Sequence, residues 1–304
     1  MPKFAVIFLF FLCIHLKLFG QGIDTERWMS LLDDDVLITD ISIPGTHNTC
    51  TYNTPFSMSK CQTFTLQEQL NQGVRYLDLR FVYHKSGLKV YHGFDNLNLM
   101  LEQCLAEVRD FLQENPSELI MLRLQREKKS GKETDSMYYE AIVSAFEKAG
   151  LPMYDNVEFP ERKLKDWRGK AIIIEYNNLG SLSKSQKTYS QITGFSYWAY
   201  LTSDKQVEAK WLDIMEKEVA KADSSKFNRL NLYSSGGRKI LGVPIPNPKS
   251  FTTLFVENKY TDLLELLHSN SSHFIIIVDF EELYTGIPGE FYKEIISRNF
   301  RKPR

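Results

Sequence analysis

Short runs of β-branched and other apolar residues alternate with stretches of helical periodicity along most of the chain. The apolar runs predict strands, and apolar positions three and four residues apart predict amphipathic helices between them. Strands separated by helices favour parallel β-α units. The predicted strands lie at residues 36–43, 75–83, 88–91, 118–124, 171–176, 230–233 and 274–280, and the predicted helices at residues 64–72, 99–113, 136–148, 205–222, 260–267 and 289–298.

About seven strands without an obvious linker favour a closed barrel over an open doubly wound sheet. The strands at 75–83 and 88–91 are joined by a turn rather than a helix, which makes the expected barrel irregular. We therefore expect a distorted TIM-type β/α barrel that forms a single domain over residues 22–304. Residues 177–200 and 234–259 lack regular periodicity and are predicted to be loops, which commonly rim a site.

The first residues resemble an export signal rather than part of the fold. Lys3 precedes an apolar stretch at residues 4–18, and small residues follow at Gly20 and Gly22. This order of a basic, an apolar and a cleavable segment predicts a signal peptide over residues 1–21, cleaved near residues 20–22. A membrane anchor would need about 20 uninterrupted apolar residues, and the stretch at residues 4–18 is shorter. A signal peptide is therefore favoured over an anchor. The mature protein is expected to be secreted, into the periplasm or outside the cell.

The net charge and the cysteine content argue against nucleic-acid binding and against a structural zinc site. The 304-residue chain has a formal net charge of −1, so no global field attracts it to nucleic acid. Export would leave Cys50, Cys61 and Cys104, an odd number that allows one internal bridge at most. Cys50 and Cys61 flank a polar, turn-rich loop, which predicts a disulfide between them in an oxidising compartment. The cysteine spacing does not suggest structural zinc.

Polar residues with catalytic chemistry fall where predicted strands end, the place at which β/α barrels assemble their sites. His47 follows the first strand, and His92 ends the third. Asp78 and Arg80 lie two residues apart on the second strand and so share one face. Asp279 follows four consecutive isoleucine and valine residues in the last strand. Alone, each of these residues is more often structural, but their joint placement predicts one site at the mouth.

This set of residues suits the cleavage of a phosphodiester. Such cleavage needs a base for the nucleophile, an acid for the leaving alkoxide and positive charge against the phosphoryl oxygens. Two imidazoles can act as base and acid near neutral pH, and a guanidinium can bind the oxygens through its fork of donors. A carboxylate behind one histidine would fix its tautomer.

Five segments carry a resemblance to a known family. Residues 43–48 (IPGTHN) and 69–80 (QLNQGVRYLDLR) resemble the first two signatures of the X domain of bacterial-type phosphatidylinositol-specific phospholipase C. Residues 90–93 (VYHG) and 115–118 (NPSE) continue the match in order, and residues 277–280 (IVDF) resemble the family's last strand. The likeness is loose between about residues 127 and 225.

The resemblance implies a distorted barrel and a two-step phosphodiesterase reaction. The inositol 2-hydroxyl would attack phosphorus, giving diacylglycerol and inositol 1,2-cyclic phosphate, which water can later open. By this resemblance His47 is the general base, oriented by Asp279, and His92 is the general acid. Arg80, with Asp78 beside it, would stabilise the phosphoryl charge. Activity on glycosyl-phosphatidylinositol anchors is a possible extension.

Asn48 departs from the bacterial members, which often have aspartate directly after the first histidine. An amide keeps a hydrogen bond but does not stabilise an imidazolium as a carboxylate does. Calcium-dependent relatives have His-Asn at this point, but their metal site needs acidic oxygen ligands. At the corresponding strand position this chain has Arg80, so we expect metal-independent catalysis with no cofactor.

Residues that bind the inositol are harder to predict. Family members use charged groups on the middle strands and an aromatic ring, and an ordinary structural role remains the alternative for each position. The substrate-binding candidates are Asn48, Arg123, Gln125, Glu175, and Tyr200 or Trp198. The expected partner is phosphatidylinositol in a membrane, reached by peripheral contact of a monomer, and the aromatic-rich residues 195–200 are one segment that could touch lipid.

Two alternatives stay open at this point. Another barrel phosphodiesterase, acting on glycerophosphodiesters or sphingomyelin, would be metal-dependent, and Arg80 argues against it. A lipid- or carbohydrate-binding relative that has lost catalysis is the second alternative. The presence of both His47 and His92 favours an enzyme.

Overall fold

A computed structural model describes residues 22–127, 133–155, 162–180, 192, 199–240 and 243–301. Within them the strands are β1 Ile43–Thr46, β2 Tyr76–His84, β3 Gly87–His92, β4 Asp95–Met100, β5 Leu119–Arg126, β6 Lys170–Asn177, β7 Arg229–Leu232, β8 Gly236–Ile240, β9 Val243–Asn247 and β10 Ile275–Val278. The helices are α1 Leu66–Asn71, α2 Leu101–Glu114, α3 Asp135–Ala149, α4 Asp204–Ile214, α5 Pro248–Ser269, α6 Glu282–Thr285 and α7 Glu290–Ser297, and a π-helical turn, Met215–Val219, extends α4.

The main sheet is parallel and runs in the order β6-β5-β2-β1-β10-β7. The antiparallel hairpin β3–β4 continues from the upper half of β2, and β8 and β9 form a separate hairpin. Since β2 pairs with β1, β5 and β3, the hairpin extends beyond the parallel sheet and stands beside its carboxyl end. In this hairpin, strand follows strand without a helix between them, which is the irregularity expected of the predicted β/α barrel.

The two edge strands of the parallel sheet meet through side chains. Arg229 on β7 donates from Nη1 to Oε2 of Glu175 on β6 at 2.6 Å. This contact requires the sheet to curl until its edges face each other, although no ladder of hydrogen bonds joins β6 to β7 in the described residues. An ion pair therefore spans the gap that a regular barrel closes with backbone pairing.

Strand β10 shows how the barrel separates its interior from its exterior. Ile276 and Val278 pack into the hydrophobic cluster that holds the helices, whereas Ile275 and Ile277 pack into a second cluster inside the barrel. Four consecutive apolar residues are expected where both faces of a parallel strand are buried. The next residue on the inner face is Asp279, so the interior changes from apolar to charged at the carboxyl end of the strand.

A buried ion pair closes the amino-terminal end of the barrel. Arg75, just before β2, lies 2.9 Å from the carboxylate of Glu118, just before β5. The guanidinium also donates to four backbone carbonyls, two of them in the entering segment at Thr25 and Glu26. Trp28 in this segment is fully buried in the inner cluster. The entering segment is thus held to two strands at once.

Several predicted boundaries are wrong for identifiable reasons. Residues 38–40 form a 3-10 turn, so the first strand is confined to Ile43–Thr46. Residues 234–259, predicted to be a loop, contain the β8–β9 hairpin and the first half of α5. Pro248 begins that helix rather than breaking it, because proline is well suited to the first helical position, and Asn247 caps it by accepting from the Ser250 backbone N–H.

The predicted Cys50–Cys61 disulfide is absent. All three described cysteines are free thiols, and the sulfur nearest Cys50 Sγ is that of Cys104 at 3.5 Å. The loop that follows Cys50 turns Cys61 inward, toward the carboxyl end of the barrel, where its thiol meets Asn48. The predicted signal peptide lies on residues 1–21, outside the described residues, and stays a prediction. In the part of the chain that is described, no helix has the length and apolar character needed to cross a membrane.

Candidate active site

His47 directly follows β1 and is fixed from three sides. Its backbone N–H donates to the Val278 carbonyl at 3.1 Å, which extends the pairing of β1 with β10 by one residue. Its ring nitrogen Nδ1 lies 2.9 Å from Oδ1 of Asp279. The ring stacks on Tyr233, with centroids 3.8 Å apart and an interplanar angle of 6°. His47 and Asp279 are thus brought together as predicted, because their parent strands are neighbours.

The environment keeps the His47 imidazole neutral. Burial, followed by the nearby charge of Arg80, holds the pKa of His47 well below its usual value. A neutral imidazole that donates from Nδ1 to Asp279 has its lone pair on Nε2, the nitrogen that a general base uses. Tyr233, the ring that covers one face of His47, was not predicted, since its position just beyond β7 has no local signal of stacking.

His92 is the last residue of β3 and comes to the site from the hairpin. Its Nδ1 lies 2.7 Å from the backbone carbonyl oxygen of Ser59. A carbonyl only accepts, so Nδ1 carries the proton and Nε2 points toward His47. Burial and then the charge of Arg80 lower the pKa of His92, which makes its protonated form a stronger acid than free imidazolium.

The side chain of Asn48 lies between the two imidazoles. Its Nδ2 is 3.1 Å from Nε2 of His47 and 3.2 Å from Nε2 of His92, and it also contacts Cys61 Sγ at 3.6 Å. The backbone at Asn48 is left-handed, with φ at 48°, a conformation that asparagine tolerates better than most residues. Its amide oxygen Oδ1 is buried and has no hydrogen-bond partner among the described residues.

Asp78 and Arg80 share the inner face of β2, as their spacing predicted. Arg80 donates from Nε and Nη2 to Oδ2 of Asp78, at 3.0 and 2.9 Å. The same oxygen accepts from the Asn48 backbone N–H at 3.0 Å. Burial alone would raise the pKa of Asp78, but the charges of Arg80 and Arg123 outweigh it and hold the pKa below its usual range. Asp78 therefore stays ionised and orients the guanidinium toward the histidines.

Three of the predicted substrate-binding residues line the same interior. Arg123 on β5 lies 3.8 Å from Asp78 and 3.5 Å from Glu175 on β6, which links β2 to the β6–β7 ion pair. Gln125, two residues along β5, donates to Glu127 at 3.1 Å and accepts from Asn177 at 2.9 Å. These contacts join charged and amide side chains of β2, β5 and β6 into one layer that holds several hydrogen-bond donors and acceptors.

Tyr200, one of the two aromatic candidates for contact with the inositol ring, stays a prediction as a substrate-binding residue. It pairs with Ser235, and its hydroxyl donates to the Ile245 carbonyl at 3.3 Å, so it packs toward the β8–β9 hairpin. The ring that the structure stacks on a histidine is that of Tyr233. Trp198, the other aromatic candidate, lies outside the described residues.

Cys61, like Tyr233, is a residue near the histidines that the sequence did not suggest as part of the site. One nitrogen of His47, Sγ of Cys61 and one carboxylate oxygen of Asp279 lie within 4.8 Å of one another. All three side chains are buried. Imidazole, thiol and carboxylate together form a donor set that can hold a transition-metal ion. The spacing of Cys61 from its neighbours in sequence carries no metal motif, because the ligands meet only through the fold.

Comparison with known proteins agrees with this geometry. Residues 37–176 match the family model described as phosphatidylinositol-specific phospholipase C, X domain. The chain is 34% identical over 169 residues to a 1-phosphatidylinositol phosphodiesterase of Listeria monocytogenes, a match that covers 52% of this chain and 51% of that protein. A protein of the same name from Staphylococcus aureus is 25% identical over 231 residues, covering 67% of this chain and 72% of its own length.

A solved structure extends the likeness in fold beyond the matched segment. The phosphatidylinositol-specific phospholipase C from Listeria monocytogenes superposes with a TM-score of 0.69 at 22% identity, covering 91% of this chain and 99% of that one. The fold is therefore the irregular TIM-type barrel of the bacterial enzymes. The sequence match spans about half the length of the Listeria relative. Together these matches show that residues 37–176 are similar to the X domain of phosphatidylinositol-specific phospholipase C, and that the chain shares the fold of the bacterial enzymes of that name.

Proposed function

We propose that this chain cleaves phosphatidylinositol to diacylglycerol and inositol 1,2-cyclic phosphate. The inositol 2-hydroxyl attacks phosphorus while His47 takes its proton on Nε2. The bond between phosphorus and the diacylglycerol oxygen breaks, and His92 gives its Nε2 proton to that oxygen. In a second step the roles reverse, and water opens the cyclic ester. The names of the relatives, both 1-phosphatidylinositol phosphodiesterases, support this substrate.

One observation carries the proposal: the Nε2 atoms of both histidines lie within 3.2 Å of a single amide nitrogen. Each imidazole uses Nδ1 for an acceptor behind it, Asp279 in one case and the Ser59 carbonyl in the other. Both Nε2 atoms therefore flank the Asn48 amide. A phosphodiester bound against this amide would have one imidazole beside the attacking hydroxyl and the other beside the leaving oxygen.

The charge needed in the transition state comes from Arg80. Asp78 binds two of its donors, so the guanidinium is fixed before substrate arrives. Its third nitrogen, Nη1, lies 3.5 Å from Glu127, a looser contact than the two to Asp78. Donors fixed in a buried site stabilise developing phosphoryl charge without reorganisation, an effect of about 2.7–4 kcal/mol for one such donor in other enzymes.

We propose that the reaction proceeds without a metal ion. Support comes from the position of the Arg80 guanidinium, which binds the one carboxylate of β2 that faces the site at 2.9 Å. A calcium ion needs several oxygen ligands, and here a fixed cation already neutralises the carboxylate that would supply them. The positive charge that calcium provides in other phosphodiesterases would thus come from the guanidinium.

The membrane partner is part of the same proposal. Phe56 and Phe94 are 53% and 68% exposed, although large apolar side chains usually avoid water. Phe94 follows His92 by two residues, and Phe56 starts the turn whose Ser59 carbonyl binds His92. Two exposed rings beside the acid histidine are suited to peripheral contact with lipid. The site residues all come from one chain, so the proposal needs no second copy.

Phosphorus NMR of the full chain with phosphatidylinositol vesicles in excess EDTA tests the reaction. We expect a cyclic inositol phosphate signal that disappears in His47→Ala. Arg109→Lys, on the outer helix α2, is the matched control and should retain the signal. Turnover that appears only after calcium is added would overturn the role of Arg80. No turnover under either condition would reject phosphatidylinositol as the substrate.

Vesicle sedimentation tests the membrane contact separately. Phe94→Ser should weaken binding to phosphatidylinositol vesicles by about 1.5–3 kcal/mol, the usual gain for burying such a ring. Leu212→Ser, which removes another exposed apolar side chain (58% against 68% for Phe94) on α4, is the control and should bind as the natural chain does. Equal loss in both variants, or in neither, would contradict a lipid contact beside His92.

A further inference from the structure

We propose that His47, Cys61 and Asp279 form a binding site for a thiophilic divalent cation such as Zn²⁺. The donor atoms already lie within 4.8 Å of one another, and the ions of this class bind cysteine sulfur at about 2.3 Å and histidine nitrogen at about 2.0–2.1 Å. In a tetrahedron with these bond lengths the ligand atoms lie about 3.3–3.6 Å apart. The longest separation found here must therefore shorten by at most about 1.5 Å for the three atoms to hold an ion.

Two buried oxygen atoms, one of Asp279 and one of Asn48, add further potential ligands to the cysteine and the histidine. Oδ2 of Asp279 is fully buried and accepts from no N–H or O–H group within the described part of the chain, Oδ1 faces His47, and the Cys61 thiol is the remaining hydrogen-bond partner of this carboxylate. The amide oxygen of Asn48 is also buried, without a partner in the described residues. Because Asn48 Nδ2 contacts Cys61 Sγ, a half-turn of the amide would bring this oxygen toward the sulfur. Buried oxygens without partners are costly, and a bound cation would satisfy them.

The donor set and its surroundings select the class of ion. A thiolate and a carboxylate supply two negative charges, which balance a divalent cation beside Arg80. Magnesium and calcium prefer oxygen ligands and gain little from sulfur or imidazole, so the nearby guanidinium would exclude them. Zn²⁺ and Cd²⁺ gain strongly from thiolate and imidazole, and this gain is the source of selectivity.

Binding changes protons at two atoms. The thiol of Cys61 loses its proton to solvent as the sulfur–metal bond forms. Nδ1 of His47, which now faces Asp279, becomes the ligand, and its proton moves to Nε2. The Nε2 lone pair is then no longer available to take a proton. This last consequence, inhibition of turnover, rests on the proposed function, whereas the binding itself does not.

Cadmium titration of the full chain, kept reduced with a phosphine, tests the site without any assay of turnover. We expect one equivalent of Cd²⁺ to produce the ultraviolet charge-transfer absorption of a thiolate–cadmium bond. In Cys61→Ser this absorption should disappear, and the dissociation constant should rise at least about 100-fold. The double variant Cys50→Ser/Cys104→Ser is the matched control, since it removes the other two thiols and should retain the absorption.

Loss of the absorption in the double variant would assign the ion to Cys50 and Cys104 and overturn the proposal. Cadmium-113 NMR of the unaltered chain decides the matter even where a variant does not fold, because one sulfur with nitrogen and oxygen ligands differs in chemical shift from two sulfurs. In the phosphodiesterase assay, Zn²⁺ should inhibit the unaltered chain, with inhibition weakened about 100-fold in Cys61→Ser. A chain that binds Cd²⁺ at Cys61 but never turns over phosphatidylinositol would reject the proposed function alone.

Discussion

Two buried pairs of arginine and carboxylate lie at opposite ends of the same barrel and are built differently. At the amino-terminal end, Arg75 uses all five N–H groups, one for Glu118 and four for backbone carbonyls. At the carboxyl end, Arg80 directs two N–H groups to a single oxygen of Asp78. The first pair is complete within the protein, and the second is not.

The difference continues in the atoms around each pair. Glu118 also accepts from the Met29 backbone and the Ser117 hydroxyl, so both of its oxygens have partners. Around Arg80, three buried oxygens accept no N–H or O–H hydrogen bond in the described residues: Asn48 Oδ1, Asp78 Oδ1 and Asp279 Oδ2. An unsatisfied buried polar group costs about 1–3 kcal/mol, so this end of the barrel gives up stability. We conclude that the amino-terminal pair serves folding and that the carboxyl-terminal group is arranged for a ligand.

The largest expected effect comes from breaking the amino-terminal pair. Glu118→Gln keeps the size of the side chain but leaves the Arg75 charge buried and unpaired. We expect the free energy of unfolding to fall by about 3–5 kcal/mol, the usual result of removing one partner of a buried pair. Urea unfolding followed by circular dichroism measures it. The turnover number of the folded fraction should remain unchanged, and a loss of turnover without a loss of stability would reverse the assignment.

Arg80→Lys should have the opposite effect to Glu118→Gln: a large loss of turnover and a small loss of stability. Lysine retains a positive charge beside Asp78 but lacks the planar fork, so the fixed donors toward the phosphoryl group are lost. We expect turnover of phosphatidylinositol to fall by about 10²–10³, the effect of losing one fixed donor of this kind. The free energy of unfolding should change less than in Glu118→Gln. Steady-state kinetics and urea unfolding on the same preparation decide between these outcomes. Equal stability losses in the two variants would contradict the contrast between the ends.

The sequence predicted the residues whose positions follow from strand alternation. Asp78 and Arg80 are two residues apart on a strand, and Asp279 follows a run of four β-branched residues, so their shared face and end could be inferred. The resemblance to the family added the pairing of His47 with Asp279, and β1 and β10 are indeed neighbours. Such inferences need only two rules: side chains two residues apart on a strand share a face, and the carboxyl ends of parallel strands lie at the same end of a barrel.

Residues brought in by loops or through long-range packing could not be predicted in this way. Cys61 lies near His47 because of an irregular loop, and Tyr233 stacks on His47 from a position just beyond β7, far away in sequence. The hairpin strand β4 was missed because the helix predicted at residues 99–113 included the last two residues of Asp95–Met100, which left too short a polar–apolar alternation to indicate a strand. Arg75 and Glu118 lay within the recognised motifs, yet only their contacts show that these residues hold the entering segment rather than the substrate.

Asn48→Asp has the smallest expected effect and tests only the carboxyl end of the barrel. It measures how the pKa values of the two histidines respond to an added negative charge. In the natural chain burial and Arg80 lower the pKa of both His47 and His92. His47 must be neutral and His92 protonated, so the optimum of kcat/KM should lie on the acid side of the ordinary histidine value, about 6.5.

A carboxylate at position 48 would lie about as close to one imidazole as to the other, since the amide it replaces is 3.1 and 3.2 Å from their Nε2 atoms. A negative charge favours the protonated imidazolium and therefore raises both pKa values. Both limbs of the pH profile should move upward by about one unit, equivalent to about 1.4 kcal/mol, and kcat/KM at neutral pH should increase. Asn48→Ala adds no charge and should not move the limbs upward, and Glu118→Gln should leave them in place because its charge lies at the far end. A profile of Asn48→Asp that superposes on that of the natural chain would show that the residue between the histidines does not control their protonation.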